Sequence, residues 1–449
     1  MSVLSDKLAL RYFKKRIISW LAVVAVAVSV FITLVVMTVM NGLANEFKEK
    51  NHRLFGDCVI SSDSLVGFAY YQQLLDTLDN NTNIVAVTPV IMTTGLMSVD
   101  GASRSEGVDV TGIDAESFCR VTEFEDTLYP DSFVNSSEIF STGSASPGCI
   151  RGIAMMTRRN SNGLYATSLS YKVSLDLSCF PLTSKGTLAK SGTDLVNTKS
   201  FTVTNDSNSG LPRIDRSMLY IPFEQAQLLC GMAGNEPRTN ALFIKFAPEV
   251  RLADGVEEVE RLFDEFKSQN SNMPYGSLLD NVRVESWKKY RREAIAPIEK
   301  EEIMLTALFV LIGFVTVFVI LVVFFLIISH KSRDIGIFKS FGLNTFSVMG
   351  IFMRFAVAAG VAGAFVGTAV AILFLRYIND LEGWLYSKYG WQLWDRSMYS
   401  IGEIPHDMRF IVAFTIVLFA ILASIAGAIV PVMCASLKRP VDILKVSQV

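Results

Sequence analysis

Residues 320–342 read "ILVVFFLIISHKSRDIGIFKSFG", and this stretch decides the fold. Its first half closes an uncharged run, Ile303–Ser329. That run is long enough to cross a bilayer, which takes roughly 20 apolar residues. The second half changes character at once: Lys331, Arg333 and Lys339 are interleaved with Ile335, Phe338 and Phe341, and Gly342 follows. On a helix the three apolar residues share one side while the bases snorkel away from it. Gly342 suits the left-handed conformation that ends a helix, and Asn344 suits the N-cap of the next one. The pattern predicts a short amphipathic helix on the membrane surface, joined to a span at either end. An ordinary basic turn fits the same residues.

Three further uncharged runs reach spanning length: Ile17–Met40, Phe355–Leu375 and Phe410–Val430. The first is far too long for the roughly 7–15 apolar residues of a signal peptide, so it is read as a retained helix. Of the 449 residues 51% are hydrophobic and only 19% charged, too apolar for a soluble protein of that length. A net charge of −2 gives nucleic acid nothing to hold. Within the four runs there is no Asp, Glu, Lys, Arg or His. Ion-coupled pumps normally need such groups in the membrane, so energy must come from elsewhere.

Basic residues set the orientation. Lys7, Arg11, Lys14, Lys15 and Arg16 precede the first run, Lys331, Arg333, Lys339 and Arg354 separate the second from the third, and Lys438, Arg439 and Lys445 follow the fourth. Both termini are therefore expected in the cytoplasm of a multi-pass membrane protein, with the large segment on the outer side. The expected plan starts with an amphipathic N-terminal helix (1–16), a first span (17–40) and a periplasmic α+β domain (41–288). A stalk and second span (289–329) and a cytoplasmic loop (330–354) follow. A third span (355–375), an outer loop (376–409), a fourth span (410–430) and a cytoplasmic tail (431–449) complete it. The fold class is an α-helical membrane protein with four transmembrane helices and a large extracytoplasmic α+β domain between helices 1 and 2. Trp384, Tyr386, Tyr389, Trp391 and Trp394 suit an outer interfacial belt.

In the large segment, "NIVAVTPVIMTTG", "EGVDVTGID" and "RSMLYIPF" read as strands, "YYQQLLDTLDN" and "ADGVEEVERLFDEFKS" as helices. "NSSEIFSTGSASPG" and "VTNDSNSG" have loop composition. Five cysteines lie here, an odd number without Cys-x-x-Cys spacing, which reads as buried thiols with room for one disulfide. The third run carries Gly360, Gly363 and Gly367, a small-residue face suited to close packing against a neighbouring span. No catalytic, cofactor or metal motif is present: there is no P-loop, no Gly-x-Ser-x-Gly, no His-Glu-x-x-His, and the three histidines are scattered.

"HKSRDIGIFKSFG" resembles the coupling helix of the FtsX-like (MacB-type) permeases of ABC transporters, and its aspartate form resembles their lipoprotein-releasing Lol branch. "LALRYFKKR", "VMNG", "VTGID", "PGCIRGIA", "RIDRSMLYIPFEQAQLL", "ESWKKY", "GEIPHDM" and "ASLKRPVDIL" resemble further family segments, in order along the chain. The resemblance implies a permease subunit, not itself an enzyme, that extracts lipoproteins using ATP hydrolysed by a separate ATPase chain, which binds the ATP and Mg. It implies ATPase coupling through Lys331, Arg333, Asp334, Ile335, Gly336, Phe338, Lys339 and Gly342. Substrate is expected near Met37, Met40, Asn41 and Gly42 and the outer half of Ile303–Phe318. Further partners are a second copy or paralogue and a periplasmic lipoprotein carrier, although Leu182–Lys199 lacks the proline-rich hairpin with which one Lol permease recruits it. Alternatives are a macrolide-type efflux permease and a non-transporting signal transmitter that activates a cell-wall hydrolase.

Overall fold

The computed structural model describes residues 17–99, 105–129, 139–142, 146–157, 173–188, 196–340, 344–391, 394 and 403–437. The expected amphipathic helix at 1–16 and the basic residues after the fourth run lie outside them. The chain divides into two compact units, one within residues 46–296 and one that gathers the long apolar helices.

Helix α1 (Ile17–Phe55) starts in the apolar unit. Its apolar stretch stops at Met40, but the helix does not. The continuation "NGLANEFKEKNHRLF" pairs Lys50 with Glu46 at 2.9 Å and Arg53 with Glu49 at 2.6 Å, both at the i, i+4 spacing that supports a helix in water.

The large unit is built on a ten-stranded mixed sheet. Its strands are β1 (Cys58–Ser62), β3 (Ile84–Val99), β4 (Ser105–Ile113), β5 (Leu128–Tyr129), β6 (Gly148–Gly152), β7 (Ser174–Cys179), β8 (Asn197–Ser207), β9 (Met218–Pro222), β11 (Ala241–Phe246) and β12 (Val282–Ser286). The short β2 (Phe68–Ala69) and β10 (Arg238–Thr239) pair separately. The order is β12-β1-β11-β3-β4-β9-β6-β8-β5, with β7 paired to β3 and β8. Both β4–β9 and β6–β8 are parallel, and the remaining pairs are antiparallel.

Period-two alternation gives the long central strand two buried faces. Val87, Ile91 and Met97 join one core with Leu177, Phe201, Ile221 and Ile244, covered by α2 (Tyr71–Asp79). Ala86 and Val90 join the other with Phe118, Phe124, Tyr220 and Phe243, where α3 (Ala115–Val121) packs. Next come α4 (Pro212–Ser217), α5 (Phe223–Leu229), α6 (Leu252–Asn270) and α7 (Trp287–Tyr290). The strands expected from "NIVAVTPVIMTTG", "EGVDVTGID" and "RSMLYIPF" are β3, β4 and β9, and the two expected helices are α2 and α6.

In the large unit one expectation is overturned. "VTNDSNSG" is not all loop, because Val203–Ser207 is the end of β8. Local composition favours a turn, but Asp206 is taken into the sheet beside Arg151, whose Nε donates to its carboxylate at 2.5 Å with the arginine side chain 3% exposed. Only at Gly210, with φ of +69°, does the chain turn.

The apolar unit holds α8 (Arg292–Ser340), α9 (Thr345–Arg376), α10 (Ile378–Tyr389) and α11 (Phe410–Leu437). With α1 these supply, among the described residues, four helices long and apolar enough to cross a membrane. Val26, Val30, Leu34, Ile320, Phe324, Phe355, Ala364 and Ala428 form their common core. Gly390 ends α10 in the left-handed conformation, with φ of +68°. The Trp384 and Tyr389 rings stand edge to face at 5.9 Å, with Lys388 Nζ 5.3 Å from the Trp384 centroid.

Candidate functional site

In the helix bundle, small residues bring backbones together. A Cβ on Gly363 would lie 2.7 Å from Val26 Cβ and 2.8 Å from the Val23 carbonyl of α1. On Gly367 it would lie 2.5 Å from the Ala27 carbonyl, and on Gly360 2.9 Å from Ser424 Cβ of α11. The three glycines thus serve two neighbours. Polar groups tie the same helices: Thr316 Oγ1 of α8 donates to Ser29 Oγ of α1 at 2.8 Å, and Ser424 Oγ donates to the Ala356 carbonyl at 2.9 Å. These bonds satisfy hydroxyls that would otherwise face hydrocarbon.

Met37, Met40, Asn41 and Gly42 are half-buried on α1. A Cβ on Gly42 would stand 2.4 Å from Pro405 Cβ, so the glycine closing "VMNG" lies against the proline of "GEIPHDM". Asn379 of α10 holds that proline segment through both amide atoms: its Oδ1 accepts from Ile404 N–H at 2.8 Å and its Nδ2 donates to the Ile404 carbonyl at 3.2 Å. On α8, Ile320 and Phe324 face the bundle, whereas Phe314 and Phe318 are 68% and 65% exposed. One side of α8 is therefore an apolar face that this chain leaves open.

Lys331, Arg333, Asp334, Ile335, Gly336, Phe338 and Lys339 occupy the last turns of α8. The expected separate surface helix is not formed, since α8 runs unbroken through this stretch to Ser340. The reason is local: no proline interrupts it, and one Gly336 in a helix interior costs only about 1 kcal/mol relative to alanine. Gly342 lies outside the described residues, and Asn344 is the N-cap of α9 without a side-chain cap bond.

Sequence reading missed a junction where the chain enters and leaves the large unit. Arg291 Nε, just before α8, donates to Asn51 Oδ1 on α1 at 3.0 Å, and its guanidinium lies 4.6 Å from the Phe55 ring centroid. Asn51 Nδ2 in turn donates to the Phe47 carbonyl at 2.8 Å. Burial pushes the Arg291 guanidinium below its ordinary range, which the charge of Glu293 and the hydroxyls of Tyr290 and Tyr220 counteract. One residue on, His52 stacks on Trp287 at 4.8 Å and its Nε2 meets Asp57 Oδ1 at 2.7 Å. A double-mutant cycle of Asn51→Ala and Arg291→Met on the full chain should give a coupling of about 1–2 kcal/mol, as for hydrogen bonds to charged groups. Additive effects would mean that the two side chains act separately.

Asp57 also sets an acid limb. Burial raises its carboxyl pKa, but the bonds from His52 and from the Phe246 amide outweigh burial and hold it below the usual carboxylate value. A depressed native pKa gives stability that is present above the unfolded value, near 3.9, and is lost as pH falls through the native one. Acid melting of the full chain should therefore lose stability below about pH 4. Asp57→Asn should flatten that limb, and an unchanged acid profile in the variant would refute the assignment.

Among the described residues no group of three or more His, Cys, Asp or Glu can hold a metal ion. Among the described residues, four helices of spanning length, packed through glycines and leaving one apolar face open, mark a membrane protein. Residues 306–435 match the family model of the FtsX-like permease C-terminal domain. The match takes in the last three spanning helices, so this part of the chain is similar to the FtsX-like permeases. It is 22% identical over 457 residues to the lipoprotein-releasing system transmembrane protein LolC of Neisseria meningitidis serogroup B, covering 98% of each chain. It is 20% identical over 453 residues to LolC of Xylella fastidiosa strain 9a5c, again covering 98% of each. Among solved structures, the periplasmic region of MacB from Actinobacillus actinomycetemcomitans matches at a TM-score of 0.30 and 13% identity, covering 54% of this chain and 95% of that one. The extracellular domain of YknZ from Gram-positive bacteria matches at 0.28 and 12%, covering 51% and 98%.

Proposed function

We propose that this chain extracts lipoproteins from the cytoplasmic membrane for delivery towards the outer membrane, driven by ATP hydrolysis in a partner subunit. The observation that carries this reading is the similarity to LolC-named proteins along almost the whole length of both chains. Physical cost points the same way. Each acyl methylene contributes about 0.8 kcal/mol to anchoring, so withdrawing several chains needs an apolar surface to receive them. The open side of α8 around Phe314 and Phe318, beside Met37 and Met40 of α1 on a paired subunit, is such a surface. The large unit lies in the periplasm with both termini in the cytoplasm, a second copy or paralogue completes the cavity, and the ATPase contacts Lys331–Gly342. A periplasmic carrier is the natural acceptor.

The test is reconstitution of the chain with a candidate ABC ATPase that copurifies with it, in proteoliposomes loaded with a triacylated lipoprotein. ATP-dependent release into solution is expected. Retention of lipoprotein together with ATP-dependent export of amphiphilic drugs would favour the efflux reading instead.

A further inference from the structure

All six cysteines are thiols in this structure, and four of them, Cys58, Cys149, Cys179 and Cys230, are buried. Two are not alone. The sulfurs of Cys179, the last residue of β7, and Cys230, the C-cap of α5, lie close enough to influence one another. They are 0% and 4% exposed, in the same core.

The backbones that carry them are fastened together. Leu182 N–H donates to the Cys230 carbonyl at 3.0 Å. Asn197, the ladder partner of Cys179, donates its Nδ2 to the Leu228 and Leu229 carbonyls at 3.2 Å. Arg238 spans both segments, its Nη2 donating to the Leu182 carbonyl at 2.9 Å and the Gly231 carbonyl at 2.7 Å. On the neighbouring strand, Gly95 stands opposite Cys179, and a Cβ there would come within 3.2 Å of its sulfur. The missing side chain leaves the sulfurs their room.

We propose that Cys179 and Cys230 are oxidised to a disulfide that ties the end of β7 to the C-terminal end of α5. The chemistry of the two thiols differs in the direction such a step needs. The neighbouring Cys179 sulfur, with help from Thr93 and the Arg238 charge, holds the Cys230 thiol below its ordinary range. Burial pushes the Cys119 and Cys149 thiols up to about 12, so they are poor nucleophiles. The Cys230 thiolate attacks the disulfide of a thiol–disulfide exchange protein of the oxidising compartment, forming a mixed disulfide and releasing one thiolate of that oxidant. Cys179, losing its proton, attacks the Cys230 sulfur and expels the second thiolate. Two electrons and two protons pass to the oxidant, which leaves as a dithiol. Burial of both sulfurs places the step late in folding, when Thr93 and Arg238 already stand beside Cys230 and the core still admits the oxidant.

The inference rests on the outward placement of the large unit proposed above, because disulfides persist in oxidising compartments. The experiment uses the full chain extracted from membranes with free thiols blocked by N-ethylmaleimide. Trypsin separates the two cysteines into Val173–Lys185 and Ser217–Arg238, each with no other cysteine. These peptides should appear joined, with no alkylated Cys179 or Cys230, and should part on reduction. Reductant should also lower the melting temperature of the wild-type chain by roughly 5–15 °C, since the bridge closes a loop of about 50 residues. In parallel, Ser268→Cys on the exposed side of α6 reports the side of the membrane through an impermeant maleimide on intact spheroplasts. Labelling with joined peptides supports the bridge. Labelling with both cysteines alkylated overturns the bridge and leaves the placement standing. Absence of labelling overturns the placement, and with both cysteines alkylated it overturns the bridge as well.

Discussion

Gly363→Leu should cost the full chain most of its folded yield. Gly363 of α9 leaves no room: its missing Cβ would already sit 2.8 Å from a backbone oxygen of α1 and 2.7 Å from Val26 Cβ. A flexible side chain can swing aside, but the Val23 carbonyl belongs to a helix and cannot. Leucine adds three more carbons in the same place, so α1 and α9 must part along their contact. Overpacking a core typically costs about 1–3 kcal/mol, and a clash with backbone belongs at or above the top of that range. The separation would also strip contacts from Val30 and Ala364, which belong to the shared core. Gly350→Leu is the control, because a Cβ at Gly350, on the same helix, meets nothing within 4 Å. The measurement is monodisperse yield and melting temperature in detergent. Wild-type values for Gly363→Leu would show that the α1–α9 approach is not needed for the fold.

The spans were legible because their signal is composition over more than twenty residues, with no ionisable group inside. Their ends were not. Loss of apolarity marks where a helix leaves hydrocarbon, and α1 continues in water to Phe55 on its Glu46–Lys50 and Glu49–Arg53 pairs. The same confusion of polarity with secondary structure separated "KSRDIGIFKS" from the span it continues. In the large unit, period-two alternation revealed β3 and β4, whereas the end of β8 was hidden by residues of turn composition. Asp206 occupies a strand because Arg151 meets it there, and that partner lies 55 residues away.

The junction residues were invisible for a related reason. Asn51 and Arg291 are 240 positions apart and belong to no local pattern. "ESWKKY" stops one residue short of the arginine. The approach of Gly42 to Pro405 joins two stretches that sequence reading had singled out separately, without any sign that they meet. Each side chain had a local reading of its own, and only the fold supplies the pairing.

Asp334→Lys should abolish lipoprotein release while leaving the chain folded. The proposed ATPase contact carries Lys331, Arg333 and Lys339 with one acid, Asp334. Reversing that acid places a like charge against any basic group the ATPase offers to it, which suppresses docking. Loss of about 1.4–2.8 kcal/mol of binding is a 10- to 100-fold drop in copurified ATPase. The continuity of α8 adds a second, separable expectation. A helix of 49 residues is about 75 Å long, and it runs without a break from Arg292 to Ser340. Movement imposed at the contact can then travel along α8 from Ser340 towards Pro297, the proline already inside the helix, without meeting another proline. Ser329→Pro removes one backbone hydrogen bond between contact and span and kinks the helix, at about 3 kcal/mol. That variant should keep its ATPase and its ATP hydrolysis but lose release. The two substitutions therefore fail differently, one at docking and one at transmission. Wild-type docking and release in Asp334→Lys would remove this stretch from the ATPase contact. Wild-type release in Ser329→Pro would show that the power stroke does not travel along α8.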